Sequence, residues 1–164
     1  MLRSTAHQGF EMHASMGLRL VAWIALLMIG DVPTIGFTQS PCPGIHVTIL
    51  NIRSSTGTVD CALFASPAGF PKEVLHSAIV VMVLKIKRQE ARCDFEDIPT
   101  GSYALVVIHD ENMNGKLDTN LWGVPKEGYG FSNDTKAGSG PPSFADASFP
   151  YDGQNLSFTV SLHY

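Results

Sequence analysis

The chain reads as an all-β protein, an antiparallel β-sandwich of about six to seven strands. Three observations predict this. Short β-branched segments with period-two alternation recur between turn residues. Fifteen glycines and ten prolines in 164 residues suit many tight turns. Beyond residue 40, no stretch shows a convincing helical pattern.

The elements follow in order. GIHVTILNI (44–52) alternates and stops at RSSTG, so it is a strand with a turn closed by Gly57. TVDCALFAS (58–66) is the second strand, with Val59, Cys61 and Leu63 on one face and Asp60 on the other. SPAGFPKEVLHSA (66–78) holds two prolines and a glycine and is a loop with at most one helical turn near Lys72 to Leu75. IVVMVLKIK (79–87) is an apolar strand running into charge. In ARCDFED (91–97), Ala91, Cys93 and Phe95 face in while Arg92, Asp94 and Glu96 face out. DIPTGSYALVVIHD (97–110) is a tight turn feeding a strand buried on both faces. FSNDTKAGSGPPS (131–143) is a loop, with Phe144, Phe149 and Tyr151 pinning its far end. NLSFTVSL (155–162) is the last strand, with Leu156, Phe158, Val160 and Leu162 inward. A small barrel is the runner-up.

Composition bounds the rest. Hydrophobic residues make up 45% and charged residues 16%, which supports a packed core. The net charge is −4, and Lys85, Lys87 and Arg88 form the only basic cluster, so no nucleic-acid partner is expected. Residues 1–40 read as a secretory signal peptide: Arg19, the apolar run Leu20 to Ile29, then Gly30, Pro33, Gly36 and small polar residues. Met16 is a plausible true start. The run is too short for a transmembrane anchor, which needs about 20 residues. Pro41 beside Cys42 disfavours a lipoprotein. The remaining 41–164 form one domain without a transmembrane span, exported to the periplasm or secreted, with an envelope or extracellular partner that the sequence does not name. Cys42, Cys61 and Cys93 survive processing, and export permits a disulfide. Cys61 and Cys93 lie on inward phases and can bridge the two sheets, as in immunoglobulin domains. Cys42 with either is the competing pairing, and three free thiols are the third option.

The most specific stretch is HDENMNGKLD (109–118). Asp110, Asn112, Asn114 and Asp118 place short side-chain oxygens at alternate positions, with Gly115 at the turn. Such hard oxygen donors suit calcium. Lys116 would add its backbone carbonyl. The closing position of an EF-hand falls on Leu121, which cannot ligate, so this is not an EF-hand. Glu127 is the first candidate for the missing ligand, and the expected dissociation constant is on the order of 10⁻⁴ to 10⁻³ M. The competing reading is a plain Asp/Asn turn without metal. His109 is a candidate general base, with Asp110 or Glu127 orienting it. Trp122, Tyr129 and Phe131 either stack on a carbohydrate or peptide or fold the 119–131 segment over the end of the sandwich. No nucleophile elbow, P-loop or dinucleotide fingerprint is present.

FEDIPTGSYALVVIHDENMNGKLDTNLWGVPKEGYGFSND, with GTVDCALFASPAGFP upstream, resembles the domain-of-unknown-function 2141 family of exported bacterial proteins. The likeness spans about residues 44–163. It implies export and a β fold but no activity, because none is established for that family. IPTGSYAL also resembles the turn and strand of transthyretin-like sandwiches, a likeness of fold only. The expectation is therefore a small exported immunoglobulin-like or transthyretin-like sandwich without enzymatic activity, a calcium-stabilised binding or accessory module. A carbohydrate- or peptide-binding module using the loop aromatics is the second reading, and a hydrolase centred on His109 the third.

Overall fold

The computed structural model describes residues 42–136, 138 and 140–164. The expected signal segment 1–40 lies outside the described residues. Among the described residues eight strands form: β1 (Gly44–Leu50), β2 (Thr58–Phe64), β3 (Val80–Lys85), β4 (Ala91–Glu96), β5 (Gly101–Asp110), β6 (Gly128–Phe131), β7 (Phe149–Tyr151) and β8 (Asn155–Ser161). Two one-turn helices, α1 (Val74–Ser77) and α2 (Phe144–Ala147), and a 3₁₀ turn (Ser132–Asp134) connect them. No helix among the described residues is long and apolar enough to cross a membrane.

The strands form two sheets, ordered β4-β1-β8 and β3-β2-β5-β6, with β7 also paired to β5. Their facing sides share one core. Ile45, Val47, Val59, Cys61, Leu63, Cys93, Leu105, Val107 and Val160 are all fully buried there. The alternation read from the sequence puts them there, because a period of two sends every second side chain to the same face. Cys61 and Cys93 are disulfide-bonded across this core.

β2 and β5 are buried on both faces. Ala62, Phe64, Ala104 and Val106 point away from the main core and meet Phe131 and Ala147 in a second cluster. Phe70 joins it, edge-on to Phe64 and to Phe144. The continuous apolar run of β5 is thereby explained: two layers of chain cover it, one per face.

β5 is longer than either of its outer neighbours. β6 pairs with Val106–His109 and β7 with Gly101–Tyr103. In the gap, the Ser132 hydroxyl accepts from the Leu105 N–H at 2.9 Å and donates to the Ala147 carbonyl. One hydroxyl satisfies the buried donor that no neighbouring strand reaches.

The two sheets are joined along one side. Tyr129 and His163 exchange backbone hydrogen bonds of 2.9 and 2.8 Å, linking β6 to the chain just after β8. Gly130 permits the approach: a Cβ there would lie 2.7 Å from Val160 Cγ1 and 2.9 Å from the Ser161 carbonyl. This seam closes the two sheets barrel-like along that side.

Four expectations need correction. The sheets are not wholly antiparallel, since β1 and β8 run parallel from Gly44–Asn155 to Leu50–Ser161. The whole chain between them serves as the crossover that a parallel pair needs, so no local signal announces it. Among the described residues the strand count is eight, because β6 and β7 are four- and three-residue strands rich in Gly, Pro and aromatics. Phe131, assigned to a loop, ends β6, and Ser132–Asp134 form a 3₁₀ turn. The helical turn expected near Lys72 to Leu75 lies slightly later, at Val74–Ser77.

Candidate metal loop

β5 delivers His109 and Asp110 to one end of the molecule, and both are buried. Asp110 pairs with Thr58 at the start of β2. The RSSTG turn packs directly on it: Gly57 has φ +77°, and a Cβ there would overlap the Asp110 carbonyl.

Beyond Asp110 the chain folds around its own carboxylates. Asp110 Oδ1 accepts from the Asn114 N–H at 3.1 Å and Oδ2 from the Gly115 N–H at 2.6 Å. Asn112 Oδ1 accepts from the Asn114 N–H, and Asn114 Oδ1 from the Lys116 N–H. Both asparagines turn their amide nitrogens onto Asp118, at 2.7 and 3.1 Å. Gly115 takes φ +73° at the tip. Alternating Asp and Asn act here as turn-makers, each capping backbone two to five residues on.

Glu127 closes the arrangement. It is buried, and its two oxygens accept from the Glu111 N–H and the Asp118 N–H, both at 2.9 Å. It therefore grips the loop on both arms, just before β6 begins. Of the residues singled out from the sequence, Asp110, Asn112, Asn114, Asp118 and Glu127 are brought into one hydrogen-bonded group. Lys116 is on its exposed rim, tied in through its N–H. Among the described residues, no three His, Cys, Asp or Glu side chains converge in a geometry that would hold a metal.

Charge is distributed unevenly around this group. Asp110, Asp118 and Glu127 have no Lys or Arg within ion-pair distance among the described residues. Their neighbour Asp60 is held above the usual carboxylate range, first by burial and further by the charges of Asp110 and Glu127, with the Thr58 hydroxyl opposing. Glu111 differs. Arg53 reaches it with Nε at 2.7 Å and also through Nη2, and this hydrogen bonding holds the Glu111 carboxyl below its ordinary range. The sequence reading missed Arg53, which lies 58 positions away in a turn with nothing local to mark it.

His109 is fully buried and both ring nitrogens are engaged. Nε2 donates to the Thr56 carbonyl at 2.8 Å, and Nδ1 meets the Tyr164 hydroxyl at 2.7 Å. That hydroxyl also accepts from the Arg53 N–H. With no nitrogen left for a substrate, His109 is a structural post and the hydrolase reading loses its base. His46, passed over in the sequence, is similarly tied, to Asp94 and to the Cys42 carbonyl.

The aromatics divide. Phe131 is buried, and Tyr129 packs against it and against His163. Those two fold the segment onto the body, as the second of the two readings has it. Trp122 does not: it is 89% exposed. A groove of about 410 Å³ between Cys42, Pro43, Glu96, Ile98 and Tyr151 lies at the opposite end of the strands from the loop.

No curated protein and no solved structure matches the chain. A family model does, over residues 47–159, described as an uncharacterized protein conserved in bacteria (DUF2141). The match runs from within β1 to within β8 and takes in the Asp/Asn loop and Glu127, so the chain belongs to the DUF2141 family.

Proposed function

We propose that the protein is a small exported binding or accessory module whose 110–127 loop is closed by calcium. The observation that carries this is the pair of buried carboxylates, Asp110 and Glu127, with Asp118 beside them and no Lys or Arg within ion-pair distance of the three among the described residues; Arg53, the cation that acts on Glu127 from farther off, is hydrogen-bonded to Glu111. Buried charge of one sign is costly unless it is paired or coordinates a metal. The donors are of the type a hard cation takes, though the three carboxylates would have to draw together to share one: carboxylates from Asp110, Asp118 and Glu127, amide oxygens from Asn112 and Asn114, and the Lys116 carbonyl. Each carboxylate oxygen uses one lone pair on an N–H and keeps another. Calcium would replace the two asparagine-to-Asp118 hydrogen bonds with charge neutralisation, and so stiffen the loop. Export is supported by the Cys61–Cys93 disulfide, a bond that persists in oxidising compartments. We place the two-sheet fold with the immunoglobulin-like and transthyretin-like sandwiches, on the cross-sheet disulfide and the turn-and-strand at Ile98–Leu105.

The test is a melting curve in calcium and in chelator. At 100 times the dissociation constant, calcium adds about 2.7 kcal/mol to stability. An unchanged melting temperature at calcium concentrations well above the millimolar range removes the cation from the proposal.

A further inference from the structure

Between Asp118 and Lys126 the chain projects as a small, tightly bonded tip. Asn120 N–H donates to the Val124 carbonyl at 2.8 Å and Gly123 N–H to the Asn120 carbonyl at 2.9 Å. The Asn120 side-chain oxygen accepts from the N–H groups of Trp122 and Val124. Lys126 N–H to the Asp118 carbonyl ties the base, where Thr119 and Pro125 also bridge. This framework holds large apolar side chains out in water. Leu121 is fully exposed, Trp122 nearly so, and Val124 more than half. Lys116 and Lys126 stand at the two feet, exposed and without ion-pair partners among the described residues.

We propose that this tip docks on a lipid bilayer, Leu121 and Trp122 entering the headgroup region while Lys116 and Lys126 meet phosphate oxygens. The inference rests on the reading of the chain as a binding module and names its partner. Size argues against a protein partner at this point. A protruding tip of three apolar side chains offers a few hundred Å² at most, against about 800 Å² per partner in a standard interface. A bilayer accepts a point contact, and Trp prefers its interface because the ring is apolar and the N–H is not. The lysines supply the charge complementarity, and the pre-formed loop has little entropy to lose on docking.

The experiment follows Trp122 itself. The chain has two tryptophans, and Trp23 lies in the expected signal segment, so in the exported chain from residue 41 onward Trp122 is the sole tryptophan. Vesicles of phosphatidylglycerol and phosphatidylcholine, some with brominated acyl chains, are added in chelator, so the outcome is independent of the calcium reading. Expected are a blue shift and quenching by the brominated chains. Lys116→Gln with Lys126→Gln should weaken partitioning roughly 25-fold, about 5-fold per lysine. Leu121→Ser should reduce the quenching at unchanged melting temperature. If vesicles bind the chain while Trp122 emission stays that of a solvated indole, the contact is elsewhere and the proposal falls. Equal quenching in the lysine and Leu121 variants overturns it as well.

Discussion

Two locks in this molecule hold separate segments together, and they work by opposite physics. The Cys61–Cys93 lock sits in a dry core among Val47, Val59, Leu63, Phe95 and Val107. It is covalent, backed by apolar burial, and indifferent to pH. The Glu127 lock joins Glu111 and Asp118 by two hydrogen bonds to a buried carboxylate. It depends on charge, on backbone donors and, by our proposal, on a cation. The first holds sheet to sheet and defines the fold. The second holds a loop in one shape, which matters only if the loop has work to do. A region organised by buried carboxylates and carrying an exposed Trp122 is where a partner is to be sought, and the core is not.

The comparison can be tested at each lock. Replacing Cys61 and Cys93 together by alanine should cost the most. The bond spans 32 positions, and a closed loop of that size is worth roughly 3–4 kcal/mol. Denaturant unfolding should show this loss, while the proposed gain in melting temperature on adding calcium persists. Glu127→Ala should cost about 1–3 kcal/mol, because two N–H groups lose their acceptor. Hydrogen exchange should accelerate at the Glu111 and Asp118 amides and remain slow in β2. Equal acceleration in β2 would mean the loop and the core are one cooperative unit, and the distinction fails.

The smallest effect belongs to the Arg53–Glu111 pair, which is largely solvated. Its carboxyl is held below the ordinary value, so its contribution is present above the unfolded value near pH 4.3. That contribution is lost as pH falls through the lower folded value. Glu111→Gln should therefore cost under ~1 kcal/mol at pH 7 and nothing once both states are protonated. Asp60 runs the other way: its carboxyl is raised, so its penalty is relieved as pH falls. The pH dependence of the loop end is thus a difference of two opposed contributions.

Much of the strand layout was legible because burial follows a period of two. Val59, Cys61 and Leu63, or Ala91, Cys93 and Phe95, need only their own spacing to declare an inward face, and the structure places them so. The doubly buried β5 was equally plain in its unbroken run from Tyr103 to Ile108. β6 and β7 were hidden because their residues, GYGF and FPY, carry turn and aromatic signals, and their pairing depends on β5 having free length. The Asp/Asn loop was visible as a chemical pattern. Its partition into turn-making hydrogen bonds was not, since an oxygen that can bind a cation can equally accept an N–H.

What this sequence determined by itself is local: which segments extend, which faces are apolar, where the chain turns at Gly57 and Gly115, and which side chains of the 110–118 stretch carry oxygen. Only the tertiary structure decided the parallel β1–β8 pair, the Tyr129–His163 seam, the capture of Glu127 by both arms of the loop, and the burial of His109 between Thr56 and Tyr164. Each of these joins residues whose partners are set by the closing of two sheets over one core. Local spacing carries no information about which distant segment will arrive, and the packing of the whole chain supplies it.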